Sequence, residues 1–78
     1  MNDPAADACQ KGMACLEKKD YDAAIAAFTE AIRLDPTNAE AYCNRGRAHG
    51  MKGEYDRTIS DCTEAIRLDP KSALLRLR

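Results

Sequence analysis

The chain has 78 residues, enough for one small domain with a thin hydrophobic core. Apolar residues make up 45% and charged residues 32%, interleaved throughout, which excludes a disordered polar chain and fits a helix-rich globular one. Twelve basic side chains against thirteen acidic ones give a net charge of −1, which argues against a nucleic-acid-binding surface and a basic membrane-surface helix.

Asp3-Pro4 is a helix start: a side-chain acceptor, then a residue with fixed φ and no N–H to leave unsatisfied. The first helix is expected to run to about Lys18, with Lys19-Asp20-Tyr21 as a short turn. A second helix is expected over about Asp22 to Leu34, with Ala24, Ile25, Phe28, Ala31 and Ile32 on one stripe at helical spacing. Asp35-Pro36 ends it, because the residue before proline is pushed out of the α region. Thr37 and Glu40 have capping-box spacing and start a third helix that reaches about Met51 and stops near Gly53. A fourth helix is expected from about Asp56 to Leu68, ended by Asp69-Pro70. Lys71 to Arg78 begins one more helix.

The chain repeats itself. Thr29-Glu30-Ala31-Ile32-Arg33-Leu34-Asp35-Pro36 recurs letter for letter as Thr63-Glu64-Ala65-Ile66-Arg67-Leu68-Asp69-Pro70, an offset of 34 residues. The same offset aligns Cys9 with Cys43, Gly12 with Gly46, Ala14 with Ala48, Tyr21-Asp22 with Tyr55-Asp56, and Ile25 with Ile59. Ala24, Ala31 and Ala65, with Gly12 and Gly46, are small where helix backbones must approach. Phe28, Ile25 and Ile59 are expected to fill the space between neighbours. A helix pair of this kind cannot bury its apolar face alone, so it stacks on the next pair.

The 34-residue period, the glycine in the first helix of each unit, the Asp-Tyr-Asp or Glu-Tyr-Asp turn and the closing Leu-Asp-Pro resemble the tetratricopeptide repeat. The resemblance covers residues 5–72. It implies an all-α fold of antiparallel helix-turn-helix repeats stacked as a right-handed α-solenoid. The single domain spans 1–78, with repeat one at 5–38, repeat two at 39–72 and a partial third helix or cap at 73–78. It also implies a protein–protein interaction module whose first helices line a concave groove that takes a peptide or protein segment. The chain departs from the family pattern at three places. The large residue usual early in the first helix is Tyr42 in one unit but Ala8 in the other. Lys11 and Arg45 replace the apolar residue before the glycine and are expected to lay their stems on apolar surface. Cys15 and His49 replace a large residue three places after it.

The groove candidates are Cys9, Gln10, Met13 and Glu17 in the first unit, Cys43, Asn44, Arg47 and Met51 in the second, and Arg78 in the tail. Six of them, Gln10, Met13, Asn44, Arg47, Met51 and Arg78, are the peptide-binding set. The carboxylate-clamp pattern of the family is matched only at Asn44 and Arg78, so that activity is not expected. Asn44, Arg47 and Arg78 retain the chemistry to hydrogen-bond a peptide carboxylate or backbone. Leu74, Leu75 and Leu77 need a surface to cover. They read as a capping turn on the fourth helix, a truncated longer array, or a seam with a second copy. Two units with an apolar tail therefore raise self-association as the alternative function, giving a homodimer or higher oligomer.

Cys15 and Cys62 read as buried small apolar residues. Equivalent positions on stacked helices lie ~8–10 Å apart, too far for a Cys9–Cys43 disulfide. There is no Cys-x-x-Cys and a single histidine, so neither a metal nor a cofactor is expected. Cys15 and His49 align across the stack, but nothing supplies an oxyanion site or a third orienting group, so the chain is not expected to be an enzyme. Met1 to Gln10 has no basic segment followed by an apolar run, and no stretch approaches the ~20 apolar residues of a membrane span. Free thiols and the missing signal point to a cytoplasmic setting, with another protein as partner and neither nucleic acid nor membrane involved.

Overall fold

A computed structural model of the chain describes residues 3–71. The self-association candidates Leu74, Leu75 and Leu77, and the groove candidate Arg78, lie outside the described residues. Four helices follow in chain order: α1 (Pro4–Glu17), α2 (Tyr21–Leu34), α3 (Ala39–Met51) and α4 (Tyr55–Leu68). Each packs on its chain neighbour, and α1 also touches α3. The described residues thus form two helix pairs in an all-α repeat arrangement.

Local chemistry sets the boundaries. Asp3 caps α1, its Oδ1 accepting from the Ala5 N–H at 3.0 Å, and Pro4 takes the first helical position. Asp20 caps α2 by accepting from the Ala23 N–H, so that helix begins at Tyr21, one residue earlier than the pattern suggests. The capping box expected at Thr37 and Glu40 does not form. The Thr37 hydroxyl and N–H both donate to Asp35 Oδ1, at 2.7 and 3.1 Å, which folds the Asp-Pro-Thr turn. Asn38 becomes the cap of α3 instead, accepting from the Ala41 N–H at 3.1 Å.

The two hairpin turns share one geometry. Lys19 donates its N–H to the Leu16 carbonyl, and Asp20 donates to the Cys15 carbonyl, both at 2.9 Å. Gly53 and Glu54 repeat this against Gly50 and His49. This is the Schellman ending, and it requires a left-handed residue after the helix cap. Gly53 supplies it at φ 84°, whereas the first unit uses Lys19 at φ 63°.

The core is built in two clusters that straddle the units. Ala8, Ala31 and Ala41 form one, with Cys9 and Ile32 against it. Ala24, Phe28 and Ala48 form the other, with Cys9, Cys15, Leu16 and Ile25 against it. Phe28 is the one large side chain among the described residues that is fully buried, and Gly12 makes its place. A Cβ on Gly12 would meet the Phe28 ring at 2.5–2.7 Å.

The second unit is built differently. Cys62 stands where Phe28 stands, and Asp61 where Ala27 stands. Asp61 is buried, and Arg45 pairs with both of its oxygens at 2.8 and 2.9 Å. The same guanidinium lies 5.5 Å from the Tyr42 ring centroid and reaches Thr29 Oγ1 on α2 at 3.3 Å. Arg45 is therefore a three-way polar anchor rather than a stem lying on apolar surface, and Lys11 is simply exposed. Thr58 adds a second polar link, its hydroxyl donating to the Gly46 carbonyl at 2.8 Å.

Two packing expectations are corrected, that for Ile59 and that for Cys15 and Cys62. Ile59 is 65% exposed and fills no gap, because no described helix lies on its side of α4. Tyr55 is 67% exposed, while Tyr21, its counterpart, is half-buried. Cys15 and Cys62 are half-buried rather than buried.

Candidate functional site

α1 and α3 touch each other. Met13, Leu16 and Glu17 from α1, with Asn44, Arg47 and Met51 from α3, line a cleft of ≈ 160 Å³. That is well below the ~300–1,000 Å³ of pockets that enclose a small organic ligand. It fits one or two side chains of a longer molecule.

Four of the six sequence candidates, Met13, Asn44, Arg47 and Met51, meet in this cleft. Met13 and Met51 are 45% and 55% exposed, large apolar groups open to solvent. Arg47 and Glu17 are exposed, so the cleft has one cationic and one anionic side chain among its lining residues. Asn44 departs from the expectation of an open helix face: it is only 4% exposed. No buried side-chain nitrogen or oxygen among the described residues lacks a partner. Asn44 nonetheless contributes to the lining of the cleft. Gln10, its counterpart in the first unit, is exposed and is not among the lining residues.

Leu16 is the lining residue that sequence reasoning missed. It sits three residues after Met13 on the same helix face, and that spacing is the signal that would have found it. Cys9 goes the other way. It packs against both core clusters, and Asn38 Nδ2 donates to its sulfur at 3.5 Å. Burial first, and then the charge of Glu40, push its thiol pKa up, so it is a packing group rather than a nucleophile.

His49 is also turned away from the cleft chemistry. It is buried, and its Nδ1 lies 2.8 Å from Glu54 Oε1. The hydrogen bond from His49, followed by the charge of Lys52, holds the Glu54 carboxyl below its usual range. Lys52 in turn bridges to Asp22 on α2. These groups tie the α3–α4 turn to the first unit. Cys15 packs against the Phe28 cluster. Among the described residues, no group of three or more histidine, cysteine or acidic side chains is placed to hold a metal ion.

The sequence matches the family described as TPR repeat over residues 12–53, and the family described as Tetratricopeptide repeat over residues 39–72. The chain belongs to the tetratricopeptide repeat family. No match was found among curated proteins. Tetratricopeptide repeats generally mediate protein–protein interaction, and the family's usual work is scaffolding rather than catalysis. No helix among the described residues is long and apolar enough to cross a membrane.

Proposed function

We propose that this repeat module, one domain with units at 5–38 and 39–72 and a partial third helix or cap at 73–78, binds an extended protein segment in the α1–α3 cleft. The observation that carries the reading is Asn44, a residue 4% exposed that lines the cleft together with two exposed methionines, Met13 and Met51. An amide in that position donates to one backbone carbonyl of a bound peptide and accepts from a backbone N–H. Met13, Leu16 and Met51 supply soft, adaptable walls for an apolar side chain. Arg47 favours a carboxylate beside it, and a charge-assisted bond of this kind is worth about 1.5–3 kcal/mol. Arg78 and Gln10 belong to the same proposal as flanking contacts. The partner is another protein, with no role for nucleic acid or membrane, in the cytoplasm.

A library of fluorescein-labelled pentapeptides with free C-terminal carboxylates, screened by anisotropy, tests this. Expected binders carry an apolar residue next to the carboxylate and shift the amide resonances of Met13, Asn44, Arg47 and Met51. Arg47→Ala should weaken them by about tenfold or more, the equivalent of ~1.4 kcal/mol. Binding that is unchanged in Arg47→Ala and Asn44→Ala would sink the cleft assignment.

A second reading is assembly of copies through the exposed repeat edge and Leu74, Leu75 and Leu77. The exposure of Tyr55, Ile59 and Ile66 along α4 favours it. A mass that rises with concentration supports assembly, and a fixed monomer whose resonances shift with peptide supports the receptor.

A further inference from the structure

The face of α4 that looks away from α3 repeats the face with which α2 holds α3. On α2, Ile32 packs on the cluster that contains Ala41, and Ile25 on the cluster that contains Ala48. Thr29 accepts from Arg45, and Asp22 pairs with Lys52. The counterparts on α4 are Ile66, Ile59, Thr63 and Asp56, identical at every position. On α2 the two isoleucines are half-buried beneath α3, whereas on α4 both are exposed. A recognition face whose use is already displayed once within the molecule is thus presented a second time, covered by no other described helix.

What fits that face is a helix with α3-like groups at the same spacing. Those groups are a small residue at Ala41, a base four later at Arg45, a small residue at Ala48, and a lysine at Lys52. The exposed side of α1 carries Asp7, Lys11, Ala14 and Lys18 at these positions, and all four are exposed. Three of the four match in chemistry. Lys18 caps its helix as Lys52 does, and Ala14 is as small as Ala48. Asp7 is the mismatch, an acid where the seam holds the fully buried Ala41.

We infer that the α4 face takes α1 of a second copy of this chain, head to tail, continuing the repeat stack with Lys18 against Asp56 and Lys11 against Thr63. This rests on the assembly reading above and is independent of the cleft. The contact is heterologous, so each copy keeps one free α1 face and one free α4 face, and the assembly grows without closing. Asp7 weakens each joint and keeps the array short.

Sedimentation of the full chain from about 10 μM to about 1 mM, the range of weak association, is the first measurement. The expected result is a weight-average mass that rises without a plateau at two copies. Lys18→Glu alone and Asp56→Lys alone should each stay monomeric, because each sets like charges against each other at every joint. Mixed in equal amounts, they should recover association as an alternating array, because every joint then sets opposite charges together, Lys18 on Asp56 or Glu on Lys at the exchanged pair. The double variant Lys18→Glu/Asp56→Lys should recover association, and Asp7→Ala should exceed the parent in mass at equal concentration. Helical circular dichroism on each variant separates loss of contact from loss of fold. A chain that stays monomeric throughout overturns this inference together with the assembly reading. The same holds if residues 72–78 of the same chain show contacts to Ile59 and Ile66 in nuclear Overhauser spectra of that monomer. Association that ignores Lys18, Asp56 and Asp7 overturns the head-to-tail joint while leaving assembly by another surface standing.

Discussion

At position 19 the backbone turns left-handed with a lysine in place. A residue with a Cβ pays roughly 1 kcal/mol or somewhat more in that region, where its Cβ crowds the following carbonyl. The second unit uses Gly53 in the same turn, with the same pair of Schellman hydrogen bonds, and a Cβ there would meet nothing within 4 Å. The two positions are therefore an internal comparison of backbone strain with little difference in packing. Lys19→Gly should stabilise the fold by about 0.5–1 kcal/mol, the strain relief being partly offset by glycine's greater unfolded-state entropy. Gly53→Lys should destabilise it by a similar amount. Urea midpoints read by circular dichroism check both, and equal midpoints in all three proteins would remove strain as the explanation. Sequence reasoning could place this turn but not its handedness, because a lysine gives no hint of positive φ.

At the scale of helix pairs, the two units solve one packing problem by different chemistry. α1 and α2 meet through Gly12 and Phe28, and α3 and α4 meet through Arg45 and Asp61. The pair is mostly buried, with Asp61's side chain 8% exposed and Arg45's 22%. Breaking such a pair leaves a charge without its partner. Full burial costs about 3–5 kcal/mol, and the partial exposure of Arg45 brings the expected loss for Asp61→Ala to roughly 2–3 kcal/mol. Arg45→Met/Asp61→Ala should cost less than the sum of the single changes, with a coupling of about 1–3 kcal/mol in a double-mutant cycle. Simple additivity would show that the pair contributes nothing as a pair. This pairing was illegible in the sequence. Arg45 and Asp61 are sixteen residues apart; Arg45 alone reads as a charge with its stem on apolar surface, and Asp61 alone carries no sign of burial. What was legible was the repeat itself, because periodic identity survives without knowledge of contacts. Asn38 as the cap was hidden by Thr37, which has the better capping-box spacing but is held by Asp35.

The α3–α4 turn adds a dependence on pH at the same scale. Glu54 is held below its usual value of 4.5, chiefly by the hydrogen bond from His49 and then by Lys52. A depressed carboxyl contributes stability that is present above its unfolded pKa and lost as pH falls through its folded one. Glu30 and Glu64, each paired with an arginine three residues on, act in the same direction. Unfolding midpoints should therefore drop as pH falls below about 4.5. Glu54→Gln should be less stable at neutral pH, with a shallower loss on acidification. A Glu54→Gln profile parallel to that of the parent would exclude this carboxyl as a contributor.

For the whole molecule, the decisive fact is that neither core cluster belongs to one unit. Ala41 completes the cluster of Ala8 and Ala31, and Ala48 completes that of Ala24 and Phe28. A single unit of this length cannot bury enough surface to fold alone, since domains below ~40 residues need disulfides, metals or partners. Arg45 to Thr29 and Lys52 to Asp22 cross the same seam. The seam is thus the core, and the two units should unfold together, with a total stability on the order of 5 kcal/mol or less for a chain this small. Ala41→Gly tests the coupling without adding bulk. It removes one buried methyl, about 0.8 kcal/mol, and adds about 1 kcal/mol of helix-interior cost. The expected loss of roughly 1–2 kcal/mol should move the whole transition, even though the substitution lies in α3. Amide resonances of Tyr21 in the first unit and Tyr55 in the second are the probes. They should lose intensity at one urea midpoint in the parent and at one lower midpoint in the variant. If Tyr55 is lost at lower urea while Tyr21 persists, the units are separable and the seam is a contact between two cores rather than the core itself.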